Sequence, residues 1–316
     1  MIRDDAAVII QNCAILASLL EVSAYPKPGN VHRTRDFPDT GFEHFLSGGV
    51  AIGESMRILA SNGYLAAEGV LDWAEIGLGA YIQNAVRDSS NWQNGGNVNL
   101  GIVLLIAPLS AASGAVLNQK ECIEPKILRN YLQKVLEKST PEDVISVYRT
   151  IGESMSPENL GSTDELDILD ENSQTRIRRE KMNLIEVFRF GADKDLICKE
   201  YSSGYKTIFE TGYPYLMRKL ETETTNTAIV DTFLHLLSLN PDSLIIRKSG
   251  IDKARKVSIK ASQILEAGGI GSEEGNKLVN ALDMELQQEK GALNPGTTAD
   301  LIAATIFLAL LTGWRP

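Results

Sequence analysis

The sequence predicts an all-α fold, arranged as a single large orthogonal bundle of many helices over residues 1–316. Hydrophobic residues make up 43% of the chain but aromatic residues only 6%, so Ala, Leu and Ile dominate, and these residues favour helices. Apolar side chains recur at helical spacing along most of the chain, and no long segment alternates with a period of two. A highly charged stretch around residues 153–181 predicts an insertion or connector within this domain.

The predicted helices begin with an amphipathic segment over residues 5–23. Thr40 and Glu43 have the T-x-x-E spacing of a capping box, which predicts that a second helix begins near Gly41. The same periodicity predicts further helices over residues 71–86, 125–138, 141–151, 184–209, 225–239, 251–267 and 273–289.

Two strongly apolar stretches, residues 100–117 and 301–312, require a comparison with membrane spans. The first contains Pro108 and polar serines, and the second is shorter than the roughly 20 residues that a spanning helix needs. We therefore predict that both are buried helices and expect no membrane partner. Thr297 and Asp300 have T-x-x-D spacing, which predicts a capping box at the start of the last helix.

The charge and cysteine content limit the classes of function and location. The formal net charge of −10 argues against a general nucleic-acid-binding protein, although a local basic pocket for a small anion remains compatible with it. The three cysteines are far apart and form no metal-ligand spacing, which indicates a reducing compartment, and we expect a cytoplasmic protein. The sequence leaves open whether the chain forms a homodimer.

A stiff polar loop at residues 25–33 (YPKPGNVHR) separates the first two predicted helices. Its prolines fix φ and its glycine permits conformations that other residues avoid, so the loop has a defined shape. Lys27, His32 and Arg33 supply three donors, and Asp39 follows close behind. Cations on a rigid turn beside carboxylates suit a polyphosphate with its divalent metal. A connector between helices whose basic residues face water is the alternative interpretation.

Four ordered segments resemble the triphosphoribosyl-dephospho-CoA synthase family, which prepares the prosthetic group of citrate lyase and malonate decarboxylase. Residues 21–33 resemble its EV…PKPGLVDR segment, and residues 95–101 (GGNVNLG) its G-x-N-T-x-x-G loop. Residues 242–250 (DSLIIRKSG) resemble DTNLVHRGG, and residues 294–301 (NPGTTADL) resemble SPGGSADLL. A divergent member of this family is indicated, because the four matches occur in order along most of the chain.

The resemblance implies an all-α transferase that moves the 5-triphosphoribosyl group of ATP to dephospho-CoA and releases adenine, with Mg²⁺ assisting. It implies that side-chain donors and closely approaching backbone groups bind the phosphates or the ribose. It also implies that Asp39 and Asp300 bind Mg²⁺ and act in catalysis, and that Glu200 is the general base. The implied substrate-binding residues are Lys27, Gly29, Asn30, His32, Arg33, Asn97, Asn99, Lys248, Gly296 and Thr297.

Each implied role has a structural alternative. Asp300 would also fit as a member of the capping box, and Asp39 as a loop carboxylate beside Thr40. Asn97 would also fit as a helix cap, while Glu200 and Lys248 would fit as solvated surface charges. Two other functions stay open at this point: a Mg²⁺-dependent nucleotide or N-glycoside hydrolase, and a non-catalytic helical protein that binds nucleotides.

Overall fold

The computed structural model describes residues 2–155, 166, 168 and 170–316, and within these ranges the fold is all-α, as predicted. Short 3₁₀ turns occupy Trp73–Glu75 and Arg189–Gly191, and one π-helical turn spans Ile208–Gly212. The α-helices are α1 Arg3–Ser23, α2 Phe42–Ala51, α3 Gly53–Glu68, α4 Leu78–Asn91, α5 Leu100–Gln119, α6 Pro125–Glu137, α7 Pro141–Ser154, α8 Glu171–Glu180, α9 Leu184–Phe188, α10 Leu196–Ser203, α11 Tyr213–Leu220, α12 Thr225–Leu239, α13 Ser243–Ser249, α14 Ile251–Glu266, α15 Glu273–Gln288 and α16 Gly296–Leu311.

Helices α5 and α16 form the centre of the core. All residues from Leu100 to Leu117 are buried, and α16 is buried along nearly its whole length. Helices α1, α3, α6 and α16 surround α5, which explains why its sequence has no polar face. The prediction that both apolar stretches are buried helices is confirmed.

Length and composition alone would allow some helices to cross a membrane. Among the described residues α1 and α5 qualify, and α12 with α13 would make a third span if that bent pair is counted as one. The qualifying window of α5 is 94% buried inside the protein, whereas that of α1 is 50% buried.

Helices α3 and α5 cross at close range through two glycines. A Cβ atom on Gly63 would lie 1.8 Å from the carbonyl oxygen of Ala111, and one on Gly114 would lie 1.8 Å from that of Ala60. Neither position has room for a methyl group, so the two backbones are in direct contact. This contact sets the depth at which α5 lies in the bundle.

Gly63→Ala should therefore destabilise the protein by about 1–3 kcal/mol, the usual cost of overpacking a core. Urea unfolding of the variant measures this loss. Gly152→Ala on α7 is the matched control, because its Cβ would be 3.5 Å from its nearest neighbour and alanine favours a helix by up to about 1 kcal/mol over glycine. Equal stabilities of the two variants would contradict the direct backbone contact.

The helix boundaries depart from prediction where local signals compete. Helix α2 begins at Phe42, which confirms the predicted start near Gly41. Its N-cap is Gly41 and not Thr40, and His44 Nδ1 accepts the Gly41 N–H at 3.0 Å. The predicted capping box of the last helix is wrong, because α16 begins at Gly296 after Pro295 without a side-chain cap. The Asp300 carboxylate is therefore not used as a cap.

Part of the predicted charged connector at residues 153–181 lies outside the described residues. Within the described part, α7 continues to Ser154 and α8 occupies Glu171–Glu180. Leu166 is 6% exposed, and its carbonyl oxygen accepts a hydrogen bond from Tyr148 Oη at 3.0 Å. These contacts join the described part of the segment to α7. Its predicted role as an insertion stays a prediction.

Candidate active site

A cavity of about 1000 Å³ lies where the four predicted segments meet. The loop after α1, the start of α5, helix α13 and the start of α16 all contribute to its wall, together with residues 37–40, 191–198, 290 and 291. Segments from both ends of the chain are thus brought to one cavity. Of the predicted site residues, those that line it are Lys27, Asn30, Asp39, Asn97, Asn99, Lys248, Gly296, Thr297 and Asp300.

One wall of the cavity holds a buried ion pair. Lys27 is 1% exposed, and its Nζ donates to the Glu21 carbonyl oxygen at 3.0 Å and to the Glu21 carboxylate. Burial raises the pKa of Glu21, and the neighbouring ammonium opposes that rise. Lys27 is therefore already engaged by a protein carboxylate, and its predicted role as a direct phosphate ligand would require it to share its donors.

Asp300 lies beside this pair, on the first turns of α16. A Cβ on Gly101 would be 2.0 Å from Asp300 Oδ2, so the glycine of α5 makes the space for this carboxylate. Burial raises the pKa of Asp300 well above its ordinary value, and the carboxylates of Glu21, Asp242 and Asp195 raise it further. A cavity carboxyl group whose pKa is raised is a candidate for proton transfer, because its ionised form is a stronger base than an ordinary aspartate.

A second buried carboxylate fixes α13 to α16. Asp242 caps α13 through the N–H groups of Leu244 and Ile245, at 2.8 and 3.2 Å. Its other oxygen accepts hydrogen bonds from the N–H and the hydroxyl of Thr298, both at 2.7 Å. The two helix starts are thereby held together, which brings the cations of α13 to the same cavity as Asp300.

The cations of α13 have different environments. Arg247 pairs with Asp195, whose other contacts include the Ser243 hydroxyl at 3.2 Å. Lys248 Nζ donates to the Gly291 carbonyl oxygen at 3.2 Å. Burial and the neighbouring Arg247 lower the pKa of Lys248, while Asp39 opposes that change. Both side chains line the cavity, where they could meet an anionic substrate.

The predicted phosphate loop is attached to α15 by Asp283. Asp283 accepts the Gly29 N–H at 3.0 Å and lies 3.3 Å from His32 Nε2, and His32 is fully buried. Gly29 has φ of +73°, and a Cβ there would be 2.9 Å from Leu286 Cβ. Neither Gly29 nor His32 lines the cavity, so the structure does not support their predicted role in substrate binding. Their contacts instead hold the loop in shape.

Asp283→Asn should cost about 1–3 kcal/mol of stability, because it weakens two buried hydrogen bonds. Burial opposes ionisation of Asp283, but the hydrogen bonds from His32 and Gly29 outweigh it and lower its pKa. The stabilisation is thus present above the unfolded pKa of about 3.9 and is lost as the pH falls through the folded value.

Urea unfolding from pH 7 to pH 3 tests this prediction. The difference in unfolding free energy between wild type and Asp283→Asn should become smaller below about pH 4. Glu285→Gln, an exposed carboxylate on the same helix, is the control. A stability difference that does not change with pH would contradict stabilisation of the loop by the ionised Asp283 carboxylate.

Two other predicted residues also lie away from the cavity. Arg33 is exposed, donates to Asn226 Oδ1 at 3.1 Å and lies over the Tyr25 ring at 5.6 Å, so it is not placed to grip a phosphate in the cavity. Glu200 is 1% exposed, and its oxygens accept the N–H groups of Thr207 and Ile208, both at 3.0 Å. The position of Glu200 does not support a general base, because both oxygens serve the turn before α11.

The asparagine loop and Asp39 form the more open side of the cavity. Asp39 is exposed, and its Oδ1 accepts a hydrogen bond from Thr40 Oγ1 at 3.3 Å. Asn99 is the N-cap residue of α5 with φ of +66°, but its side chain makes no cap hydrogen bond. Asn97 is exposed and is not the cap. These side chains are free to contact a ligand, although their predicted roles stay predictions.

No role was assigned from sequence to three of the charged residues that line the cavity, Glu21, Asp195 and Arg247. Glu21 and Arg247 lie inside two of the four family-like segments, at residues 21–33 and 242–250, so the motifs could have identified both as site residues. Asp195 caps α10 through the N–H groups of Ile197 and Cys198, at 2.8 and 3.1 Å. Nothing in its sequence context separates it from an ordinary helix cap, and only the fold places it beside Arg247.

The carboxylates of the cavity fit a hard divalent cation only in part. The described residues contain no group of three or more His, Cys, Asp or Glu side chains able to hold a metal ion by themselves. Mg²⁺ usually keeps waters and binds through one or two carboxylates plus substrate phosphates. Asp39 and Asp300 are compatible with that mode, in which the nucleotide supplies the remaining ligands.

Comparisons with known proteins agree on one family. Residues 8–316 match the model of the family CitG, ATP:dephospho-CoA triphosphoribosyl transferase. A Salmonella choleraesuis protein named "Probable 2-(5''-triphosphoribosyl)-3'-dephosphocoenzyme-A synthase 1" is 26% identical over 300 residues, which is 93% of this chain and 87% of that protein. The Klebsiella pneumoniae 2-(5''-triphosphoribosyl)-3'-dephosphocoenzyme-A synthase is 32% identical over 111 residues, covering 35% of this chain and 36% of its own.

A solved structure shares the fold. The crystal structure of an Archaeoglobus fulgidus protein, named as a triphosphoribosyl-dephospho-CoA synthase, superposes with a TM-score of 0.64 at 28% sequence identity. The match covers 87% of this chain and 100% of the archaeal one. The helical architecture described above is therefore also found in a solved structure.

Proposed function

This chain belongs to the family of ATP:dephospho-CoA triphosphoribosyl transferases, and from that premise we propose that its cavity joins the triphosphoribosyl group of ATP to dephospho-CoA. In this reaction the 2′-hydroxyl oxygen of the acceptor ribose gives up its proton and forms a bond to C1′ of ATP. The bond from C1′ to adenine breaks, and adenine takes up one proton and leaves as the neutral base. The observation that carries the proposal is the meeting of all four family-like segments at one cavity with a carboxyl group and cations in its wall.

Asp300 is the best-placed group to take the proton from the acceptor hydroxyl. It lies in the cavity wall, and its raised pKa gives a carboxylate that is more basic than an ordinary aspartate. It replaces Glu200 in that role, because the Glu200 oxygens are occupied by backbone N–H groups. The Lys27–Glu21 pair supports Asp300 by holding a second carboxylate close to it.

The triphosphate would contact Lys248 and the open side of the cavity, where Asp39 and Asn97 lie. Asp39 is the carboxylate that would hold Mg²⁺ together with the phosphates, because a carboxylate that ligates the ion could not also take the proton assigned to Asp300. The bound ion would neutralise part of the triphosphate charge. A location in the cytoplasm, where ATP and reduced thiols are abundant, is part of the proposal and agrees with the free cysteines.

The test is an adenine-release assay with purified protein, ATP, MgCl₂ and dephospho-CoA. We expect one adenine for each acceptor consumed and a product heavier by the triphosphoribosyl group, with no adenine when the acceptor is omitted. Adenine or phosphate release from ATP alone would instead indicate the hydrolase. Thermal stabilisation by ATP without turnover, unchanged in Asp300→Ala, would indicate a protein that only binds nucleotides.

A further inference from the structure

One wall of the cavity carries a cluster of apolar side chains. We call it the arm wall. It comes from the end of α7, residue 168, α9 and α10, all within the middle third of the chain. Its six residues are Ile151, Met155, Ile168, Phe188, Ile197 and Cys198.

The arm wall rests on a rigid support. The Phe188 ring stacks on Tyr201 with centroids 4.2 Å apart, and Tyr201 Oη donates to the Leu104 carbonyl oxygen of α5. The wall is therefore attached to the core helix and does not need a ligand to form. An apolar surface on a preformed cavity suits the uncharged part of a ligand.

The Asp195–Arg247 pair lies between the arm wall and Asp300. Asp195 caps the helix that carries Ile197 and Cys198. It also accepts the Ser243 hydroxyl, which bonds to Thr297 Oγ1 at 3.0 Å, one turn before Asp300 on α16. These hydrogen bonds link the helix that carries the wall to the first turn of α16, the helix on which Asp300 lies.

Electrostatic effects agree with this order. The pKa of Cys198 is raised first by burial and then by Asp195, while Arg247 opposes the rise. The same pair influences Asp300, whose pKa Asp195 raises and Arg247 lowers. The position of Cys198 next to the pair is also seen directly, because its N–H donates to Asp195 at 3.1 Å.

We propose that the acceptor lies along this line, with its ribose hydroxyl at Asp300, its diphosphate at Arg247 and its pantetheine arm against the arm wall. The proposal rests on the proposed function, because it assigns the acceptor of that reaction. Dephospho-CoA carries a hydroxyl, a diphosphate and a long uncharged arm in this sequence, and the cavity presents a carboxyl group, a guanidinium and an apolar wall in the same sequence.

Arg247 is prepared for a second anion. Its Nη1 donates to Asp195, but its buried Nε finds no acceptor among the described residues. A guanidinium has five N–H donors in a fixed fork, so one carboxylate does not use them all. Since an unmet buried donor is costly, a small shift of Arg247 toward a diphosphate oxygen would satisfy it.

The experiment uses 4′-phosphopantetheine, the arm with one phosphate, as the probe for the full chain. It should compete with dephospho-CoA and not with ATP in the adenine-release assay. By calorimetry, Met155→Glu should weaken its binding about tenfold and leave ATP affinity unchanged, since it places a charge in the wall. Arg247→Lys should also weaken phosphopantetheine binding about tenfold. A lysine ammonium can keep the ion pair with Asp195 but lacks the additional N–H donors of the guanidinium. Met284→Glu, at an exposed methionine of α15, is the control and should change neither affinity.

Other results would overturn the assignment. Competition with ATP, or loss of ATP affinity in Met155→Glu, would mean that the wall holds the adenine of ATP. Calorimetry without detectable phosphopantetheine binding would also overturn it, even if adenine release proceeds normally. Failure of the proposed function would appear differently, as absent adenine release, and the calorimetric titrations would still measure the subsite by itself.

Discussion

Asp300→Asn should lower kcat for adenine release by about 10²–10⁴-fold, the usual contribution of a positioned acid–base group. The amide has nearly the same shape but cannot accept the proton of the acceptor hydroxyl. Adenine release under saturating ATP and dephospho-CoA measures the effect. Asp252→Asn, an exposed aspartate on α14, should retain wild-type activity. A kcat within threefold of wild type would exclude Asp300 as the proton acceptor.

The same variant should not be less stable at neutral pH. The folded pKa of Asp300 is raised above the unfolded value of about 3.9, so the folded protein holds its proton more tightly. Stability is therefore lost as the pH rises from the unfolded toward the folded pKa, and the asparagine removes that loss. Thermal unfolding from pH 4 to pH 8 should show a shallower decline for the variant. This result would separate loss of chemistry from loss of folding.

Lys27→Met should have the largest effect on stability, a loss of about 3–5 kcal/mol. It would leave the Glu21 carboxylate buried without its cation, and Glu21 is 2% exposed. Because burial already raises the pKa of Glu21, protonation should relieve part of the penalty as the pH is lowered. Urea unfolding at pH 5 and pH 8 measures both effects.

The double variant Lys27→Met, Glu21→Gln is the matched control for this loss. It removes both charges together and should recover much of the stability, since an uncharged pair has no buried ion to compensate. A double variant as unstable as Lys27→Met alone would show that the cost comes from lost packing and not from the unpaired carboxylate.

Much of the fold could be predicted because long periodic segments dominate the chain. Helix α12 has the predicted bounds, and α14 and α15 end within one residue of them. The prediction for residues 184–209 joined short helices that the fold separates, because their breaks depend on packing. Asp195, for example, caps α10 with its own carboxylate, which also accepts hydrogen bonds from Ser243 and Arg247 of α13.

The site was predictable as segments but not as side-chain directions. The sequence segments around Lys27, Asn97, Lys248 and Asp300 do meet at one cavity. The orientation of His32 could not be predicted from sequence, because its hydrogen-bond partner Asp283 lies 251 residues further along the chain. Motif spacing identifies the segments that form the site. It does not show which polar side chains in those segments face the cavity and which ones only hold the segments in place.

The double attachment of Asp242 has a consequence for how substrates enter. One buried carboxylate accepts hydrogen bonds from the starts of both α13 and α16, so the two helix starts form a rigid block. Separating the two helices would leave the Asp242 carboxylate without some of its hydrogen bonds. Asp39 and Asn97 lie on exposed loops outside this block, so movement of those loops would leave the block intact. Asp300 belongs to this block, so such movement would not displace its carboxyl group.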